Sequence, residues 1–183
     1  MNNGKAKIEN TIGNYTVSIP SKKNWFALLF GTAWLGGWYW GFKSAITDFG
    51  FGENGGLDGF MTFWLIGWTV GGIMVVSMLL WGYFGKEKLE FDRQEVKLQK
   101  TIFGIGIKKK LMKQEVTNFR FEKINESMFG GSRWTFWGLG PGKIKFDYGF
   151  KTYSFGLAVD DAEANYLSEE LNKKTENKMA HND

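Results

Sequence analysis

The hydrophobic positions of this chain follow two patterns, one continuous and one alternating. Residues 60–84 contain no charged side chain, and their centre is strongly apolar. A helix of that length rises by roughly 37 Å, which exceeds the ~30 Å hydrocarbon core of a bilayer. The alternative, a buried helix of a soluble protein, needs a domain large enough to surround the helix on all sides. The pattern therefore predicts a membrane span at residues 60–84.

A second uncharged segment lies at residues 24–42, which is long enough to span but richer in Trp and Gly. A re-entrant or interfacial helix is the alternative for this segment. Two spans would let both polar flanks lie on one side of the membrane, so we predict a hairpin at residues 22–85 with an external loop at 43–59. Aromatic residues near the ends of the spans suit the membrane interface. The predicted anchors are Trp25, Trp40, Trp64, Trp81 and Tyr83.

The charges around the hairpin predict its orientation. Lysines flank both segments on their outer sides, whereas the loop at residues 43–59 has one lysine and three acidic residues. Positively charged flanks stay in the cytoplasm, so both termini are expected there. The flanking lysines are Lys22, Lys23, Lys86 and Lys88.

Small residues within the two segments predict how they pack. Gly37 and Gly41 are four residues apart, as are Gly67 and Gly71, and this spacing lets helix backbones approach closely. Neither segment contains an ionisable residue of the kind that ion paths and proton relays use. The pattern favours an anchor over a transporter.

From Lys86 onward the pattern alternates with a period of two residues. Runs such as "EKLEFD", "TNFRFEKI", "RWTFW" and "GKIKFDYG" are bounded by Gly, Asn or Asp, which is typical of antiparallel strands with one buried face. "DDAEANYLSEELNKK" then predicts a helix that begins at Asp160, with Glu163 in its first turn. We expect a β-domain at residues 86–174 with about seven strands and a C-terminal helix. Residues 175–183 are expected to be a disordered tail.

The segment "NYTVSIP", which ends at Pro20, alternates in the same way. An isolated strand is not stable, so this strand in residues 1–21 is expected to pair with the later sheet. The membrane hairpin would then be an insertion in the β-domain. The alternative is a separate N-terminal anchor.

The stretches "EKLEFDRQEVKLQKTIFG", "IKFDYGFKTYSFG" and "DDAEANYLSEEL" carry a resemblance. Their order over residues 86–173, together with the hydrophobic hairpin, resembles the bacterial pleckstrin-homology-like (PH-like) membrane proteins. The resemblance implies an α+β membrane protein of the bacterial cytoplasmic (inner) membrane. Its PH-like domain would act as a binding or scaffold module at the cytoplasmic face. Motifs for phosphoinositide headgroups are not recognisable.

Composition limits the chemistry. The chain has no Cys and one His, His181, so thiolate or histidine-cluster metal sites and a His-activated serine are excluded. The Gly-rich stretches 129–134 and 137–143 lead into strands rather than helices, so we interpret them as turns and not phosphate loops. No internal helix accompanies "DYGFKTYSF", which argues against RNA binding. We expect no enzyme activity, no cofactor and no nucleic-acid partner.

Basic residues concentrate in "FGIGIKKKLMK", residues 103–113. Contact with anionic lipid near a hairpin tip is one interpretation, worth about 1 kcal/mol for each lysine. A solvated turn that protects a sheet edge is the other. The candidate residues are Lys108, Lys109, Lys110 and Lys113.

The expected function is a non-enzymatic membrane scaffold whose partners are the lipid bilayer and another membrane or cytoplasmic protein. A homo-oligomer is compatible with this pattern. The alternative is an accessory or oligomeric subunit of a membrane transport complex.

Overall fold

The computed structural model describes residues 4–11, 13–47, 59–124, 135 and 137–176. These residues form an α+β structure with three α-helices and two antiparallel sheets. Most of the predicted strand "RWTFW", the Gly-rich stretch 129–134, most of the loop 43–59 and most of the tail 175–183 lie outside the described residues. Thr135 and Trp137, the two described residues of "RWTFW", are not in a strand. The elements are β1 Lys7–Thr11, β2 Asn14–Pro20, α1 Trp25–Ala45, α2 Gly59–Phe84, β3 Gly85–Phe91, β4 Glu95–Ile102, β5 Ile105–Met112, β6 Val116–Phe121, β7 Ile144–Tyr148, β8 Lys151–Phe155 and α3 Asp161–Glu176.

The larger sheet has the order β1-β2-β3-β4-β5, and the smaller sheet has the order β6-β7-β8. The strand predicted at "NYTVSIP" is β2, and it pairs with β3, so that Val17 lies opposite Leu89 and Pro20 opposite Lys86. Strand β1 was not expected from the pattern, because its sequence "KIENT" has a single apolar residue. It pairs with β2 at the edge of the sheet.

The core of the β structure is built from the alternating positions. Val17, Ile19, Leu89 and Phe146 are completely buried, as expected from the period-2 pattern. The inner positions of both sheets and the apolar face of α3 form one hydrophobic cluster. Ala164, Leu167 and Leu171, the face predicted for the C-terminal helix, are all buried in this cluster. The predicted antiparallel strands with one buried face are therefore confirmed.

Helix α3 is tied to the sheets at both ends. At its start the Asp160 carboxylate accepts a hydrogen bond from the Glu163 N–H at 2.7 Å, as an N-cap does. The Glu163 carboxylate accepts from the Ala6 N–H at 2.8 Å instead of completing a capping box. Near its end, the Asn172 side chain accepts from the Phe119 N–H at 2.9 Å and donates to the Phe119 carbonyl at 2.7 Å. This bond pair replaces ladder bonds where the register of β6 and β7 shifts.

The chain divides into two units, Asn24–Leu80 and the remainder, Met1–Lys23 with Trp81–Asp183. We call them the helical unit and the β unit. The helical unit is inserted between two neighbouring strands, because the chain leaves at the end of β2 and returns at the start of β3. The Ser21 N–H donates to the Gly85 carbonyl at 2.9 Å, and the Ser21 hydroxyl donates to the Gly82 carbonyl at 3.0 Å. These bonds close the base of the insertion.

The two inserted helices differ in hydropathy. Helix α2 has 26 residues and is the one helix among the described residues that is long and apolar enough to cross a membrane. Helix α1 has 21 residues and does not reach that hydropathy, since Trp, Tyr and Gly occupy many of its positions. The structure therefore shows two helices where the hairpin was predicted, one of which meets the criteria of length and composition for a span.

Candidate functional site

The most unusual feature of the β unit is the turn between β4 and β5. It consists of Phe103, with φ of 50°, and Gly104, with φ of 84°. Two positive φ values are what a type I′ hairpin turn requires, and Asn-Gly or Gly-Gly normally supply them. A bulky side chain in the left-handed region is a rare and costly choice. Phe103 nevertheless exposes 71% of its surface, so packing within its own domain does not explain it.

The residues that follow Phe103 extend this exposed apolar surface. Ile105 and Ile107 lie on the same face of β5 as the buried Leu111, but they are 82% and 69% exposed. The inner face of β5 therefore extends beyond the hydrophobic core. In a sheet with one buried face these positions are expected to be covered.

The last turn of α2 belongs to the β unit and contacts this surface. The Phe84 and Phe103 ring centroids are 4.6 Å apart. The Trp81 indole N–H donates to the Gly138 carbonyl at 3.0 Å, which holds the loop containing the exposed Leu139 beside the turn. We call the surface formed by Phe84, Phe103, Ile105, Ile107 and Leu139 the apolar tip.

Two cavities of about 320 Å³ each flank the apolar tip. Lys23, Tyr83, Lys86 and Phe103 line the first, and none of the residues that line it is acidic. Its rim thus combines aromatic rings with positive charge.

The second cavity has apolar walls, which include Trp81 and Ile105, and an ionic floor. At that floor the buried Glu87 carboxylate is 2.8 Å from the Lys100 ammonium and accepts a hydrogen bond from the Gly156 N–H. A buried carboxylate needs such partners. The ion pair and the Gly156 N–H therefore stabilise the buried Glu87 carboxylate at the base of this cavity.

The four predicted lysines lie away from the turn itself. Lys108, Lys109 and Lys110 pair with Gln99, Leu98 and Lys97 along β5. Their side chains alternate between the two faces of the strand, so the three do not form one basic surface.

Three of the four lysines also have partners within the β unit. The Lys109 ammonium lies 5.0 Å from the Tyr153 ring centroid, and that of Lys113 lies 5.8 Å from the Phe91 ring centroid. Lys110 is 3.8 Å from the Glu95 carboxylate. These contacts favour the interpretation of a charged edge strand over that of a lipid-binding tip.

The predicted interface aromatics fall into two groups. Trp25, Trp40 and Trp64 are exposed on the helical unit. Trp81 and Tyr83 are half-buried in the β unit, where they line the cavities beside the apolar tip.

The predicted glycines also have different surroundings. A Cβ atom at Gly41 would lie 3.3 Å from the Trp68 ring, whereas one at Gly37, Gly67 or Gly71 would meet nothing within 4 Å. A Cβ atom at Gly72 would overlap the Trp38 ring of α1, so the close approach of the two helices at this point requires a glycine. The four-residue spacing did not single it out.

The helical unit buries little of its apolar surface. Only 6% of the most apolar window of α2 is buried, and Phe63, Ile73 and Trp40 expose 76%, 63% and 71% of their surfaces. In water, so much apolar surface would be strongly unfavourable. Cover by lipid or by another apolar surface would relieve this cost.

A polar cluster on the smaller sheet is centred on the carboxylate of Asp147. The Asp147 carboxylate accepts hydrogen bonds from Arg120 at 2.7 Å, and from Thr152 and Asn118 at 2.8 Å each. These bonds lower the pKa of Asp147 to about 2, and the bond from Arg120 has the largest effect. All three donors lie on neighbouring strands, so the cluster ties β6, β7 and β8 together, and we assign it to stability.

Within the described residues, no group of three or more His, Asp or Glu side chains is placed to hold a metal ion. Comparisons with models of known protein families and with curated protein sequences find no match to this chain.

Proposed function

We propose that this protein is a non-enzymatic integral membrane protein. A two-helix hairpin, α1 and α2, would anchor a PH-like β-domain at the cytoplasmic face of a bacterial membrane, where the domain binds a protein partner, anionic lipid or both. The insertion of the helical unit between two paired strands carries this proposal.

The pairing of β2 with β3 constrains the number of membrane crossings. Both ends of the insertion belong to one sheet, so they lie on one side of any membrane that the insertion enters. The insertion must then cross an even number of times. If α2 crosses once, a second crossing is required, and α1 is the other helix described in the insertion. Its 21 residues rise by about 31 Å, which is sufficient.

The exposure of the helices supports a lipid environment. A soluble protein of this composition would bury α2 in its core, but its apolar window is almost entirely exposed. From Trp25 to Phe42 and along the whole of α2 there is no Asp, Glu, Lys, Arg or His side chain, as lipid contact demands.

The order of the elements supports the PH-like domain. Strands β2–β5 belong to one sheet, β6–β8 form a second, and an amphipathic helix follows. That order resembles the PH-like fold, with the helical unit inserted after the first of its strands. Such domains act by binding, which is why we propose a scaffold.

Labelling of single cysteines tests the topology, because the chain has no cysteine of its own. Asn54→Cys lies in the proposed external loop and Lys110→Cys on β5. In intact cells a membrane-impermeant maleimide is expected to label the Asn54 variant alone, and in inverted vesicles the Lys110 variant alone. Labelling of the Lys110 variant in intact cells would refute the orientation. Labelling of both variants on one face of the membrane would refute the hairpin.

The second candidate is an oligomeric or accessory subunit of a transport complex. The open surroundings of Gly37, Gly67 and Gly71 favour it, because small residues on the outside of the hairpin suit contact with further helices. Size measurement in mild detergent separates the two proposals. A scaffold is expected as a small species, and a large homo-oligomer would favour transport.

A further inference from the structure

We propose that the apolar tip is a second membrane contact, in which Phe103, Ile105 and Ile107 insert into the lipid interface beside the end of α2. This inference rests on the proposed function, since it requires α2 to span the membrane. It assigns lipid contact to apolar residues of the β4–β5 turn rather than to the lysines of β5.

The backbone of the turn supports a role for Phe103 outside its own domain. A phenylalanine in the left-handed region destabilises the turn relative to the asparagine or glycine common there. Its side chain is exposed, and its described aromatic contact is the ring of Phe84. Strain of this kind, retained by an exposed residue, points to function. An apolar environment for the ring would account for the choice of residue.

The contact between Phe84 and Phe103 indicates how deep the apolar tip would lie in the membrane. Phe84 is the last residue of α2, so in a spanning helix it lies near the interface. The Phe103 ring is 4.6 Å from the Phe84 ring, centroid to centroid. That separation is smaller than the depth of roughly 5–10 Å to which interfacial elements bury their apolar faces. The two rings therefore share one zone of the bilayer.

The charges beside the tip match a lipid surface. Lys23 and Lys86 line the cavity that Phe103 and Tyr83 also line, and its lining has no acidic residue. Cations around an apolar contact attract anionic headgroups while aromatic rings occupy the interface.

The lysines of β5 lie too far along the strand to take this role. At ~3.4 Å per residue, Lys108 and Lys110 lie about 10 and 17 Å beyond Ile105. The side chains at the turn itself are therefore Phe103 and Ile105, and not these lysines.

Spin labels on single cysteines test the proposal in the full-length chain, which lacks other cysteines. The variants are Phe103→Cys and Ile105→Cys at the tip, and Ile73→Cys at the middle of α2. Met112→Cys is the matched control, because Met112 is 63% exposed at the other end of β5. Each variant is reconstituted in vesicles that contain one-third anionic lipid, and its accessibility to oxygen and to a neutral nickel chelate is measured.

We expect the oxygen-to-nickel accessibility ratio at Phe103 and Ile105 to be several-fold higher than at Met112, and highest at Ile73. An aqueous ratio at both tip positions with a lipid ratio at Ile73 would overturn this inference and leave the proposed function intact. Low accessibility to both reagents at the tip would also overturn it, in favour of a protein or a second copy of the chain. An aqueous ratio at Ile73 would refute the proposed function itself.

Discussion

The two units of this chain treat apolar side chains in opposite ways. In the β unit, Phe146 and Leu89 are completely buried between the sheets and α3, whereas Phe63 on α2 is 76% exposed. The β unit has its own hydrophobic core, and its backbone N–H and C=O groups pair between the strands of its two sheets. The helical unit pairs its backbone N–H and C=O groups within its helices but leaves most of its apolar side chains exposed. One unit therefore encloses its own apolar interior, whereas the other would need an apolar environment such as lipid to cover its side chains.

The largest expected effect comes from the same substitution made in both units. Phe146→Ala removes a buried ring that lies 5.0 Å from that of Phe119, and we expect it to destabilise the β unit by about 3–5 kcal/mol. Phe63→Ala should change that stability by less than about 0.5 kcal/mol, because Phe63 belongs to the helical unit and is 76% exposed. Pulse proteolysis in urea and mild detergent measures both. Equal losses would contradict the separation of the two units.

A charge placed in α2 tests whether this helix lies in lipid. Ile73→Arg puts an arginine at the middle of the exposed helix, which costs about 2.5–3.5 kcal/mol for insertion into a bilayer. We expect a clear fall in the membrane-inserted fraction, measured by fractionation of cells. Ile73→Leu is the control and should insert as well as the original chain. Normal insertion of the arginine variant would show that this face is not in lipid.

Asn172 tests how far α3 supports the β unit. Asn172→Ala leaves the N–H and carbonyl of Phe119 without the partners seen here, so we expect a loss of about 1–3 kcal/mol. Lys173→Ala, the exposed neighbour on α3, should cost less than about 0.5 kcal/mol. Thermal unfolding of the β unit compares the two variants. Equal stabilities would contradict the proposed role of the Asn172 side chain in holding Phe119 of β6.

The smallest expected effect concerns pH. Because its three donors hold the pKa of Asp147 at about 2 in the folded state, against 3.8 ordinarily, Asp147 stabilises the fold above pH 4. That contribution is lost as the pH falls from about 4 to 2. Asp147→Asn should therefore be less stable at pH 7 by less than about 1 kcal/mol, since the group is partly exposed. The difference should shrink towards pH 2, as measured by urea unfolding, and a constant difference would contradict the assignment.

The alternating pattern predicted most of the β unit because each buried position, such as Val17 or Leu167, has the period of its own element. It could not predict β1, which has too few apolar residues. It placed a hairpin tip near residues 103–113 but could not locate the turn at Phe103, which lacks the usual Asn-Gly. Charge clustering indicated Lys108–Lys110, but the Tyr153 ring that Lys109 contacts comes from β8, a strand distant in sequence. The signal for the apolar tip was present in "TIFGIGI", where an aromatic precedes a glycine within an apolar run.

The central claim is that the helical unit lies in a bilayer and holds the β unit there. Extraction of membranes with alkaline carbonate tests it most directly, because this treatment releases peripheral proteins and retains proteins whose helices span the bilayer. We predict that the full-length chain stays in the membrane pellet. Its release into the supernatant, together with a known peripheral protein, would contradict the account.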